Sequence, residues 1–169
     1  MGHSHLRFIV LLLALHGGLA SADDALKTKL LGAWRLISYQ AEGANGDVIY
    51  PLGADAIGFI MYTTDGHVSA SVMRPTRPKF ATSDAMGGTS EELAAAAAGY
   101  LSYAGTFDLD EAIGVVTHHL KIALVPNWAG ADFKRKVIFD GDKLELRALT
   151  PSLVGGEKRM VRVLWERDR

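Results

Sequence analysis

The sequence predicts a mainly β chain of about nine strands with one inserted helix, arranged as a sandwich or a barrel. Two observations carry this. From Trp34 onward, short apolar or alternating runs are separated by turn residues at regular spacing, as packed antiparallel strands require. The first and last runs also end on complementary groups, because Gly32-Ala33-Trp34 opens one and Trp165-Glu166-Arg167 closes the other. A guanidinium stacks on an indole face, so Arg167 packed on Trp34 shuts a small barrel.

The elements follow in order. Arg7, the apolar run Phe8 to Leu15 and the small residues Ala20-Ser21-Ala22 read as a secretory leader cut after Ala22, leaving one domain over 23–169. The apolar run is shorter than the ~20 residues that span a bilayer, which argues against the alternative of a retained membrane anchor. Asp24 to Lys29 reads as a short helical lead-in. Strands are expected over Trp34 to Ala41, Val48 to Tyr50, Ile57 to Thr63 and Val68 to Met73, the last two flanking the hairpin signal Thr64-Asp65-Gly66.

Arg74 to Gly88 has no periodicity and contains Pro75, Pro78, Gly87 and Gly88. A loop of that length in a compact domain suits a lid or binding loop. Thr89-Ser90-Glu91-Glu92 fits a capping box. Leu93, Ala96, Ala97, Tyr100 and Ala104 continue as an apolar stripe at helical spacing, ended by Gly105. The remaining strands are expected over Thr106–Leu109, Val115–Leu124, Phe133–Phe139, Lys143–Leu149 and Met160–Trp165.

Composition excludes several functions. Lys and Arg number 18 against 19 Asp and Glu, without a basic stripe, so nucleic acid is not an expected partner. The chain has no cysteine, hence no disulfide, thiolate metal site or thiol nucleophile. It also has no Gly-x-Ser-x-Gly elbow. Beyond the leader there is no apolar run long enough for stable membrane insertion.

Strand alternation singles out two polar residues. Val116, His118, Leu120, Ile122 and Leu124 share one face of their strand, with His118 the odd polar member, while His119 faces outward. Phe133, Arg135, Val137 and Phe139 share a face in the next strand, with Arg135 the intruder. If these strands are neighbours, both residues point into one interior. A buried arginine is costly unless it is paired, so the two together suggest an anchor for a ligand's carboxylate, carbonyl or phenolate. Simpler readings stand beside that one. His118 is then a core histidine satisfied by a backbone carbonyl or a tyrosine hydroxyl, Arg135 pairs with an acid such as Glu145, the tyrosines pack the core, and Trp128 plugs one end. His118 and His119 are adjacent and face opposite ways, so they are poorly placed to chelate one ion. No metal site and no cofactor is expected.

Leu31-Gly32-Ala33-Trp34-Arg35-Leu36, Met61 to Ala70, Tyr100 to Gly105, Val116 to His119, Pro126 to Gly130, Arg135 and Leu164-Trp165-Glu166-Arg167 together resemble the lipocalin-like domain family of the calycin type. The resemblance implies a closed antiparallel β-barrel of about eight to nine strands around a central cavity. It covers nearly all of the chain after the leader. Gly32-x-Trp34 matches the lipocalin start motif, while the other general lipocalin motifs are absent.

The resulting expectation is an exported protein, periplasmic or secreted, that holds a small hydrophobic molecule with a polar or anionic end. His118 and Arg135 anchor that end, Tyr62, Tyr103 and Trp128 contribute to the wall, the 74–88 loop gates it, and Trp34 and Arg167 hold the barrel shut. Two alternatives remain. One is a cyclase, isomerase or hydratase using His118 as acid–base; the other is a structural or interaction module without a cavity.

Overall fold

A computed structural model describes residues 22–168; the leader expected over 1–22 lies, but for Ala22, outside them. Helix α1 (Ala22–Leu30) leads into β1 (Gly32–Glu42), β2 (Val48–Ile49), β3 (Ile57–Tyr62) and β4 (His67–Met73). Helix α2 (Ser90–Ala98) is followed by β5 (Tyr100–Asp110), β6 (Val115–Ala123), a 3-10 turn (Pro126–Trp128), β7 (Asp132–Asp140), β8 (Lys143–Ala148), β9 (Ser152–Val154) and β10 (Glu157–Arg167). Every strand pairing is antiparallel, and β1, β3, β4, β5, β6, β7, β8 and β10 form a closed ring. The short β2 and β9 extend two of its strands. Among the described residues no helix is long and apolar enough to cross a membrane.

The ring closes between β1 and β10, where Trp34 pairs directly with Arg167. The Arg167 guanidinium carbon lies 3.8 Å from the centre of the Trp34 ring. Its nitrogens donate to the carbonyls of Leu31 and Lys29 at the end of α1, and Trp34 Nε1 donates to Leu30 O at 2.9 Å. The cation therefore also satisfies carbonyls that a helix end leaves without partners. Gly32 is required beneath it. Its φ is +111°, and a Cβ there would stand 2.8 Å from an Arg167 nitrogen.

Leu30, Trp34, Leu36, Ile60, Tyr62, Val68, Phe107, Val116 and Leu144 pack the interior solidly at the α1 end. Each such side chain contributes about 1.5–3 kcal/mol by leaving water. Toward the opposite end the same strands line a cavity.

Several expected boundaries move. The helix stops at Ala98, capped by Gly99, and Tyr100 to Gly105 belong to β5 instead of a helical stripe. Backbone pairing of this segment with both β4 and β6 outweighs continuing to Ala104 a helix that buries no side chain. The capping box is present: Glu92 N donates to Thr89 Oγ1, Thr89 N donates to Glu92 Oε2, and Glu92 Oε1 also accepts from Ala81 N. The strands number ten among the described residues, because Ser152–Val154 pairs back on β10 across Gly155-Gly156.

Two bulges change which residues face inward. Register shifts between Leu36 and Ser38, which places Tyr39 and the fully buried Ala41 inside where simple alternation from Trp34 places Ser38 and Gln40. It shifts again opposite Ala104/Gly105. Ile122, expected inside with His118, is 68 % exposed, and Leu124 is exposed too. A Cβ on Gly105 would stand 1.9 Å from His119 O, so the bulge closes only over glycine.

Candidate functional site

The hollow half of the barrel holds a partly open cavity of about 290 Å³. Apolar and aromatic side chains form most of its wall, among them Val72, Leu101, Val163, Trp128 and Phe133. The polar members are Tyr39, Tyr103, Arg135 and Ser152, while the indole ring of Trp165 lines the wall with its Nε1–H buried. A small, mainly apolar pocket with a few convergent polar groups is the usual form of a small-molecule site.

The sequence reasoning placed five residues at such a site. Arg135, Tyr103 and Trp128 are on the wall. His118 and Tyr62 point inward from β6 and β3 but lie behind the wall, fully buried. The expected neighbourhood of β6 and β7 is present, with Val116 opposite Arg135 and His118 opposite Phe133. No residue of the 74–88 loop lines the cavity, so the gating expected of that loop has no contact to act through. Ser152, Leu153 and Val154 of β9 supply that part of the wall instead.

Arg135 is half-buried. It sits 4.9 Å from the centre of the Phe133 ring and donates to Lys134 O at 3.0 Å. It has no carboxylate partner among the described residues. Glu145, weighed as its partner, points the other way. Leu144 and Leu146 face inward, so Glu145 lies on the outer surface, where Arg147 and Arg162 cover it with bonds of 2.6–2.8 Å. Desolvation acts to raise its carboxyl, but the hydrogen bonds and charges of Arg162 and Arg147 together outweigh it and keep the carboxyl below the usual range.

His118 takes the satisfied-histidine reading, with tyrosine hydroxyls on both ring nitrogens. Nε2 lies 2.8 Å from Tyr62 Oη and Nδ1 lies 3.0 Å from Tyr103 Oη. Burial, reinforced by the positive charge of Arg135 and by His119, lowers its pKa to about 3. Burial pushes the Tyr103 hydroxyl up to about 12 and the Tyr62 hydroxyl well above its ordinary value. It also raises that of Tyr39, with Arg135 acting in the opposite sense. On the outer face, His119 is held between Asp132, 2.7 Å from Nδ1, and Asp108, 2.9 Å from Nε2. Those contacts raise its pKa and occupy both ring nitrogens that a metal ion would need. Among the described residues no group of three or more acids and histidines is arranged to hold a metal.

Sequence reasoning missed Tyr39, Leu101, Val163, Trp165 and the β9 residues. The bulge after Leu36 hides Tyr39 from an alternation count. Leu101 falls in the stretch whose spacing suits a helix but belongs to β5. Trp165 sits at the inward period of β10 and was legible as interior, though not as cavity wall.

A model of the lipocalin-like domain family matches residues 31–168. The chain is 33 % identical over 106 residues to a 4'-hydroxy-3'-methoxypropiophenone carrier protein of Aspergillus oryzae, a match covering 59 % of this chain and 96 % of that protein. Among solved structures it is similar to a lipocalin-like protein from Bacteroides uniformis, at 15 % identity and a TM-score of 0.43, covering 83 % of this chain and 99 % of that one. An uncharacterized protein from Bacteroides eggerthii matches at 15 % identity and a TM-score of 0.37, covering 79 % and 98 %.

Proposed function

The chain belongs to the lipocalin-like domain family, and from that premise we propose that it is a binding or carrier protein for a small, mostly apolar molecule whose polar or anionic end meets Arg135. The observation that carries this is the cavity itself, a mostly apolar chamber with one arginine that no carboxylate among the described residues neutralises. A guanidinium facing an apolar chamber is costly unless something answers its charge, and a ligand oxygen does so. The similarity to a carrier of an aryl ketone supports the same reading. A cavity of about 290 Å³ suits a single substituted aromatic ring.

The acid–base alternative loses ground because His118 is behind the wall, is held neutral, and has both nitrogens engaged. The leader read over 1–22 adds export to the proposal. Recovery of the protein outside the cytoplasm with Asp23 as its first residue is the expected result; a cytoplasmic product retaining Arg7 overturns that part. For the binding itself, calorimetry with 3-phenylpropanoate is expected to give a saturable single site that weakens at least tenfold in Arg135→Ala. Unchanged affinity in that variant overturns the anchor.

A further inference from the structure

Tyr62 has one polar partner among the described residues, His118 Nε2. Its side chain is 2 % exposed, so water does not serve its hydroxyl. That settles which way the hydrogens run. A neutral imidazole has one N–H and one lone-pair nitrogen. If Nε2 carried the hydrogen, it would donate to Tyr62 Oη, and the Tyr62 O–H would be buried with no acceptor, an arrangement folded proteins avoid. With the hydrogen on Nδ1, Tyr62 O–H donates to Nε2, and Nδ1–H donates to Tyr103 Oη. Every buried member is then satisfied, and Tyr103 alone keeps a free O–H. Tyr103 is on the cavity wall and has no acceptor of its own among the described residues.

The other fixed polar groups of the wall have the same sense. Arg135 has only N–H donors, one of them used on Lys134 O. Trp165, whose ring is also on the wall, has a buried Nε1–H without a hydrogen-bond partner among the described residues and adds no acceptor to the site. The hydroxyls of Tyr39 and Ser152 serve either sense and impose nothing. We infer that Tyr103 is a specificity residue that donates to a carbonyl or oxyanion of the bound ligand, and that Tyr62, which does not line the cavity, fixes this by locking the tautomer of His118. The inference rests on reading the cavity as a ligand site. It adds that the site selects acceptors, and it names a residue behind the wall that sets the selection. Because burial keeps His118 neutral down to about pH 3, acid above that value does not release the lock.

Two measurements test this separately. Long-range proton–nitrogen NMR of the histidine rings reads the tautomer without any ligand. Protonated Nδ1 and bare Nε2 on His118 are expected, and the reverse overturns the inference whatever the cavity binds. In Tyr62→Phe, which keeps the ring against Phe107, signals of the second tautomer are expected to appear; a spectrum unchanged from the parent overturns the role of Tyr62. The second measurement titrates propiophenone against 2-phenyl-1-butene, which replaces the ketone oxygen by CH₂. The ketone is expected to bind about tenfold tighter. Tyr103→Phe should remove most of that ratio while leaving the alkene's affinity unchanged, and Tyr62→Phe should reduce the ratio without contact to either compound. Equal binding of the two compounds, or a ratio unmoved by Tyr103→Phe, overturns the inference and leaves the binding function standing. Failure of both compounds and of 3-phenylpropanoate to bind overturns the function and the inference with it.

Discussion

The two halves of the barrel treat an arginine in opposite ways. At the packed end, Arg167 stacks on Trp34 and donates to Leu31 O and Lys29 O, so its charge and donors are used within the fold. At the hollow end, Arg135 faces the cavity with one backbone carbonyl and one ring beside it. The difference separates roles that the residue type alone does not. A polar group satisfied by its own chain contributes to closure, and one left open toward a cavity is available to a ligand.

The largest test of that division is Trp34→Ala. Removing a fully buried indole from the packed half is expected to cost about 3–5 kcal/mol in denaturant unfolding. The affinity of the folded fraction for 3-phenylpropanoate should stay within about twofold, since additivity holds for separated sites. A comparable loss of affinity would mean that the halves are one unit. Arg135→Met reverses the signs. Its unfolding free energy should move by no more than about 1 kcal/mol, and upward if desolvation dominates, while carboxylate affinity falls.

Adjacent histidines sharpen the contrast between interior and exterior through pH. His118 has a folded-state pKa lowered to about 3, so between about 6.5 and 3 the unfolded chain binds the extra proton, and this residue makes stability fall as pH drops through that window. His119 is raised by Asp132 and Asp108. Its contribution is fully present below about 6.5 and is lost as pH rises through the folded value. Unfolding curves of His118→Gln should therefore be flatter on the acid side than the parent's, and those of His119→Gln flatter on the side above 6.5. An identical pH slope in all three would refute the assignment. The smallest effect is expected at α2, which belongs to neither half. Thr89→Ala removes the cap from Glu92 N and should cost about 1 kcal/mol with no change in affinity.

Much of this was legible before any fold was built. Trp34 and Arg167 were readable as a closing pair because strand ends and a cation–aromatic match are local facts. His118 and Arg135 were readable as inward polar residues because strands alternate. Where alternation breaks, legibility ended. The bulge after Leu36 turned Tyr39 inward, and the one opposite Gly105 turned Ile122 outward. The capping box placed the start of α2 correctly. Its end was missed because the Leu93–Ala104 spacing suits a helix, and only pairing with β4 and β6 makes Tyr100 to Gly105 a strand.

By itself, then, the sequence determined the class of fold, the seam that closes it, and which polar side chains enter the interior, since these follow from periodicity, turn chemistry and residue type. Only the tertiary structure decided that Glu145 belongs to Arg147 and Arg162 instead of Arg135. It also decided that His118 stands behind the wall between two tyrosines, and that β9 replaces the long loop at the cavity. Apart from the Glu145–Arg147 contact, which lies within β8, the physical reason is shared. Register across non-adjacent strands sets which side chains meet, and a hydrogen-bond partner far along the chain leaves no mark on the residues around either end.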